Sequence, residues 1–139
     1  PDIAAGLGAT YATLDELLQQ SDFVTLNMPM TPETRHMIGR RELTLMKPTA
    51  ILVNAARGGV VDHDALVESL QNSGIWGAAL DVTDPEPLPR DHPLLRMDNV
   101  VIAPHLGSAT RKTRIGMVTR TIENLIAGLT GQELPSRVS

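Results

Sequence analysis

The 139-residue sequence has no cysteine and only three aromatic residues, one each of Trp, Tyr and Phe. Without thiols there are no disulfides and no thiolate chemistry, and a reducing, cytoplasmic setting is the expected one. Three rings are too few to stack on bases. Twelve basic against sixteen acidic residues give a formal charge of −4 with no basic block to follow a phosphate backbone, so nucleic acid is not an expected partner. The longest apolar runs are strand-length and broken by Gly, Asn or Pro, well short of the about 20 residues that cross a bilayer. Neither a membrane span nor an N-terminal leader is expected. What remains, 42% hydrophobic and 20% charged, is the composition of a soluble globular protein with one core, in a chain too short for two ordinary domains.

Along the chain, short apolar runs alternate with amphipathic segments. Thr13 and Glu16 have capping-box spacing, which predicts a helix over 13–20 with Leu14, Leu17 and Leu18 on one side. Asp22–Leu26 reads as a strand, followed by a loop with Pro29 and Pro32 and a helical turn or two over Arg40–Met46. Ala50–Val53, closed by Asn54, suits a strand buried on both faces of a parallel sheet. Asp62 is placed to cap a helix carrying Leu66, Val67 and Leu70, with Gly74 at the left-handed terminating position. Trp76–Val82 and Val100–Ala103 read as two more strands. Pro85, Pro87, Pro89 and Pro93 exclude regular structure over residues 83–99. Ser108 or Thr110 caps a long final helix whose Ile115, Val118, Ile122, Leu125, Ile126 and Leu129 form one apolar stripe that should pack on something.

Apolar strands alternating with helices predict an α/β parallel sheet. In such sheets ligands sit beyond the carboxyl ends of the strands, which directs attention to Asn27–Pro32, Ala55–Gly59, Asp81–Glu86 and Ala103–Ser108. Arg57 follows a buried strand and precedes two glycines, so its permanently charged fork can project to meet a carboxylate, or it can pair with Asp62 or Asp81 at the surface. His105 follows a strand and Pro104, an address suited to proton transfer, although a lone histidine is more often structural. Glu86 sits between prolines that restrict its backbone, either to orient His105 or as a solvated loop carboxylate. Asp81 ends a strand and can accept hydrogen bonds from a ligand amide or cap a turn. His36, His63 and His92 have no metal-site spacing and read as surface or packing residues; no metal is proposed. No G-x-S-x-G, P-loop or G-x-G-x-x-G is present.

Three stretches taken together resemble the D-2-hydroxyacid dehydrogenase family: Val53–Asp62 (VNAARGGVVD), Ala79–Pro89 (ALDVTDPEPLP) and Ala103–Thr110 (APHLGSAT). Ser21-Asp22-Phe23 and the Pro29–Thr34 loop match as well, so the resemblance covers essentially the whole chain. Within the family it is most similar to the glyoxylate/hydroxypyruvate reductases. The resemblance implies a doubly wound, Rossmann-like sheet, the second half of a dinucleotide-binding domain. Residues 1–106 would be the partial NAD(P)-binding domain, without the Gly-rich first βαβ unit, and 107–139 a helix and tail that cross to a substrate domain outside these residues.

The same resemblance implies that Arg57 binds the substrate carboxylate and polarises the keto group, that His105 protonates the forming alkoxide, and that Glu86 orients and charges His105. Ala55 and Asp81 would meet the nicotinamide end of the cofactor and Pro29 its ribose or phosphates. Arg57, His105, Gly107 and Ser108 would flank it. A ketone becoming an alcohol develops negative charge on oxygen, so a cation and an acid must converge there. The substrate implied is a small 2-keto acid and the cofactor NADP or NAD, with NADP favoured. Pro1 falls just past the strand end that distinguishes the two. The full-length protein is expected to be a homodimeric enzyme, this fragment alone being inactive. The alternatives are a non-catalytic binding or dimerisation module and a dehydrogenase for another 2-hydroxy acid.

Overall fold

The structure is a computed structural model that describes residues 2–137, so Pro1 and the cofactor preference attached to it lie outside the described residues. Its elements run α1 (Asp2–Gly6), α2 (Leu14–Gln20), β1 (Phe23–Leu26), α3 (Arg40–Leu45), β2 (Ile51–Asn54), a 3-10 turn η1 (Gly58–Val60) and α4 (His63–Gln71). They continue with β3 (Gly77–Leu80), a second 3-10 turn η2 (Pro93–Arg96), β4 (Val100–Ile102) and α5 (Arg111–Leu129). The chain divides into two compact units between Pro104 and His105.

In the first unit the strands form one parallel sheet in the order β1-β2-β3-β4, with Val24, Leu52, Ala78 and Val100 in register across it. The α/β expectation holds, and each predicted strand is present, trimmed at its ends. Leu18 of α2, Leu43 of α3 and Leu66 and Leu70 of α4 join Val24, Leu26, Leu52, Ala78 and Leu80 in a single core. The opposite sheet face is not closed in this way: Phe23 is 66% and Val101 68% exposed, with Ile51 and Val53 half-buried. The expectation that Ala50–Val53 is buried on both faces is therefore corrected. Apolar composition marks a strand's capacity for burial on two sides, but only a packed neighbour realises it.

Local signals account for the element ends. Thr13 and Glu16 make the predicted capping box, the Thr13 N–H donating to Glu16 Oε2 at 2.9 Å and the Glu16 N–H to Thr13 Oγ1 at 3.3 Å. The backbone donor, then the Thr13 hydroxyl, holds the Glu16 carboxyl below the ordinary carboxylate range. Asp62 Oδ1 caps α4 through the Ala65 N–H at 3.1 Å. At the other end of α4 the left-handed residue is Ser73 (φ 57°), not Gly74 as predicted. The Gly74 N–H reaches back to the Ser69 carbonyl at 2.7 Å and Ser73 N–H to Leu70 O at 3.3 Å, a Schellman pair. Gly74 serves that close approach, since a Cβ there would lie 2.7 Å from Ser69 Oγ. The proline-rich loop also contains more order than expected: Pro93 opens η2, where a missing N–H costs nothing, and the His92 ring caps it.

The second unit is α5 and its flanks. Thr110, rather than Ser108, is the cap, accepting from the Thr113 N–H at 3.1 Å. Gly131 (φ 70°) supplies the left-handed exit, and the Gln132 N–H bonds the Ala127 carbonyl at 2.8 Å. The apolar stripe forms as predicted but stays exposed; of the nineteen helical residues, Ala127 is the buried one.

Candidate functional site

The first unit gathers its unusual residues where β2 ends. Asn54 is fully buried, and its side chain is spent on the turn that follows: Nδ2 donates to the Arg57 carbonyl at 2.9 Å and Oδ1 accepts from the Ala56 N–H at 3.0 Å. This bracket fixes the backbone of Arg57, whose exposed guanidinium donates from Nη1 to the Ala56 carbonyl at 2.7 Å. Sequence reasoning read Asn54 only as the end of a strand. The available signal was a short amide side chain directly after a buried apolar run, where it can satisfy backbone groups left by the ladder.

The glycines after Arg57 serve contact between segments far apart in sequence. A Cβ on Gly58 would collide with the Thr83 carbonyl, and one on Gly59 would lie 2.8 Å from Met30 Sδ, 3.1 Å from Asp84 Oδ2 and 3.3 Å from Arg35 Nη1. The segment bearing Arg57 is thus nested between the 29–36 loop and the 83–86 segment bearing Glu86. Arg35 and Asp84 form an exposed ion pair at 3.8 Å across this junction, and the His36 N–H donates to the Gly59 carbonyl at 2.8 Å. Within the 83–86 segment Thr83 Oγ1 donates to the Pro85 carbonyl at 2.9 Å, and the peptides before Pro85 and Pro87 are cis. In the first loop the Thr34 hydroxyl donates to the Pro29 carbonyl at 2.9 Å and accepts from the Thr31 N–H at 2.7 Å.

Three hollows lie along the carboxyl ends of the strands. One of about 430 Å³ is lined by Asn27, Met28, Pro29, Ala55 and Arg57 among others. A smaller one of about 140 Å³ joins Ala55 to Asp81 over Val53, Ala79, Val101 and Ala103. The third, about 410 Å³, holds Asp81, Thr83, Glu86, Leu88, Leu95 and Pro104. Since Ala55 is common to the first two and Asp81 to the last two, five of the residues singled out from sequence (Pro29, Ala55, Arg57, Asp81, Glu86) border one continuous rim. The middle hollow suits a flat, largely apolar ring: alanines leave room over the strand ends, and the Asp81 carboxylate stands at one side. A larger hollow of about 510 Å³, between α3 and α4, is lined by Arg40, Glu68, Asn72 and a mixture of apolar and hydroxyl side chains and contains none of the candidate residues.

The remaining candidates, His105, Gly107 and Ser108, open the second unit. His105 is exposed and holds a left-handed backbone (φ 56°), a conformation that costs a non-glycine residue about 1–2 kcal/mol and is found preferentially at functional sites. The Ala109 N–H bonds the Leu106 carbonyl at 2.9 Å, turning the chain toward the Thr110 cap. His63, read from sequence as a packing residue, is buried, and its ring meets that of His92 edge to face at 6.3 Å between centroids. Burial pushes its pKa down, a hydrogen bond to the Val61 backbone opposes this, and His92 adds to the lowering. Among the described residues no group of His, Asp and Glu is arranged to hold a metal ion, and no helix is long and apolar enough to cross a membrane.

Residues 2–107 match the family described as D-isomer specific 2-hydroxyacid dehydrogenase, NAD binding domain. The chain is 50% identical over 138 residues to a glyoxylate reductase of Aeropyrum pernix, covering 99% of this chain and 41% of that protein. Among solved structures, it is similar to an NADPH-dependent glyoxylate/hydroxypyruvate reductase of Sinorhizobium meliloti in complex with NADP and malonate. There the TM-score is 0.90 at 36% identity, over 96% of this chain and 42% of that one. A D-isomer specific 2-hydroxyacid dehydrogenase of Lactobacillus delbrueckii in its NAD-complexed form gives a TM-score of 0.86 at 35% identity, over 94% and 44%. The 139 residues therefore span about two fifths of the length of such relatives. With the parallel sheet, the rim at its strand ends and the family match in agreement, the chain belongs to the D-isomer specific 2-hydroxyacid dehydrogenase family and forms the second half of its Rossmann-like NAD-binding fold.

Proposed function

We propose that this chain supplies the nicotinamide-side half of an NAD(P)H-dependent reductase acting on a small 2-keto acid, glyoxylate or hydroxypyruvate. The observation that carries the reading is the rim: the cation of Arg57, the small Ala55, and the carboxylates of Asp81 and Glu86 border linked hollows at the carboxyl ends of β2 and β3. Arg57 binds the substrate carboxylate through its planar guanidinium fork and polarises the neighbouring keto oxygen. Ala55 and Asp81 orient the carboxamide end of the nicotinamide, Pro29 borders its ribose, and Gly107 and Ser108 flank it. The bound cofactor supplies the hydride. His105 delivers the proton to the oxygen that gains charge, and Glu86 orients the ring so that one nitrogen carries that proton. NADP is the proposed form; similar solved structures hold either NADP or NAD, so the two are compared directly in the test.

In the full-length protein, Arg57→Ala and His105→Ala should each lower kcat/KM for glyoxylate by about two to four orders of magnitude, with Glu86→Gln causing a smaller loss. Steady-state rates with NADPH and with NADH check this and rank the cofactors. Near-normal turnover in either alanine variant removes the role assigned to that residue.

A further inference from the structure

Beneath the loop that carries Glu86 lies a second, polar hollow of about 340 Å³, lined by Arg35, His36, Asp62, His63, Asp64, Asp84, Pro85 and His92. At its base His63 is only 7% exposed, and its Nε2 is buried without a hydrogen-bond partner among the described residues. A buried polar atom left in this state keeps its desolvation cost without a compensating hydrogen bond. The ring is held by a hydrogen bond to the Val61 backbone and by the edge-to-face meeting with His92.

His92 is not a passive neighbour. Its Nδ1 accepts the Leu94 N–H at 3.3 Å, its own N–H bonds the Pro89 carbonyl at 3.0 Å, and its carbonyl accepts from Leu95 at 3.1 Å. It thereby fastens the far end of a loop whose near end is set by buried Thr83 and the Gly58 contact, with Glu86 between the two. The fastening uses the lone pair on Nδ1, and a proton on His63 sets a charge in a buried place facing that ring. Asp84 and Asp62 offset part of this; Asp64, Arg35 and His36 complete the charged and titratable surroundings.

We propose that His63 is a positioning residue: while its ring is neutral it braces His92, and through the 84–92 loop the Glu86 side chain, and protonation of His63 releases the brace. The consequence for Glu86 as a partner of catalysis rests on the reductase reading; the brace itself does not. The sign follows from burial. A histidine whose folded pKa lies below its unfolded value of about 6.5 contributes fully above that value and loses its contribution as pH falls toward the folded pKa.

Backbone hydrogen exchange in the whole chain, corrected for intrinsic rates, tests the brace directly. Between about pH 7.5 and about pH 5.5, exchange at Glu86, Leu88, Leu94 and Leu95 should quicken on the order of five-fold in the wild type, and by a clearly smaller factor in His63→Phe, whose ring fills the site without titrating. His63→Gln provides the same comparison should the phenylalanine variant not fold. Equal pH dependence in wild type and variants, or none in the wild type, overturns the proposal. In the full-length enzyme the acid-side fall of kcat should become shallower in His63→Phe. Turnover of glyoxylate together with an unchanged pH dependence of exchange in His63→Phe refutes the brace while leaving the reductase reading intact. Absent turnover with the expected exchange pattern refutes the reductase reading and leaves the brace standing.

Discussion

α4 in the first unit and α5 in the second are assembled from the same local parts. A side-chain oxygen accepts from the first turn of each, Asp62 in one and Thr110 in the other, and backbone bonds from beyond each C-terminus close the last turn around a left-handed residue, Ser73 or Gly131. Yet α4 hides His63, Ala65, Leu66 and Leu70 within nine residues, whereas α5 hides one alanine in nineteen. Burying a leucine contributes about 1.5–3 kcal/mol, so α4 draws its stability from the sheet, and α5 from caps and intrinsic propensity, which leave an isolated helix marginal at this length. Amphipathic spacing states that a helix requires a partner. Whether one is supplied is decided elsewhere in the fold.

The sharpest way to break the contrast is to add one methyl group on each side of it. Gly58→Ala drives a Cβ into the Thr83 backbone, where no side chain can yield, so we expect a loss of more than about 3 kcal/mol and disturbance of both the Arg57 and Glu86 segments. Gly116→Ala lies within α5 with nothing near its Cβ, and should stabilise that helix by up to about 1 kcal/mol. Urea unfolding followed by the fluorescence of the single Trp76 reports the first unit, and far-UV circular dichroism adds α5. Equal responses at the two glycines would erase the distinction. A second pair is smaller but tests burial itself: Leu66→Ala, at a fully buried site, should cost about 2–5 kcal/mol, while Ile122→Ala, 49% exposed, should stay within about 0.5 kcal/mol.

These pairs also mark what the sequence made legible. Thr13-Glu16 and Asp62 announce helix starts because the signal and its effect lie within three residues, and the alternating apolar runs announced a parallel sheet for the same reason. Ser73 was missed because glycine is the usual left-handed residue, and nothing local reveals that Gly74 is needed instead for approach to Ser69. The open face at Phe23 and Val101 was missed because an apolar strand reads alike whether one or both sides are covered. At the site, Asn54, Arg35 and Asp84 carry no pattern, since their partners come from other segments: Arg35 and Asp84 are separated by two helices, two strands and a 3-10 turn. Arg57 and Glu86 read equally well as surface groups, and His105 as a structural histidine, until several motifs were read together as a family resemblance, and the rim that gathers Arg57 and Glu86 required the fold.

The smallest effect bears on whether local parts are interchangeable between the units. Asp62→Ala and Thr110→Ala remove comparable N-caps, each contributing about 1 kcal/mol to its own helix. If helix formation in α4 is coupled to the core, Asp62→Ala should lower the urea midpoint read by Trp76, because α4 cannot fray without uncovering Leu66. Thr110→Ala should leave that midpoint in place and reduce only helical ellipticity, fraying the first turn of an already exposed helix. A shift of the Trp76 transition by Thr110→Ala equal to that of Asp62→Ala would mean that α5 folds as part of the sheet's cooperative unit, and the distinction between a helix held by its neighbours and one held by its ends would fail.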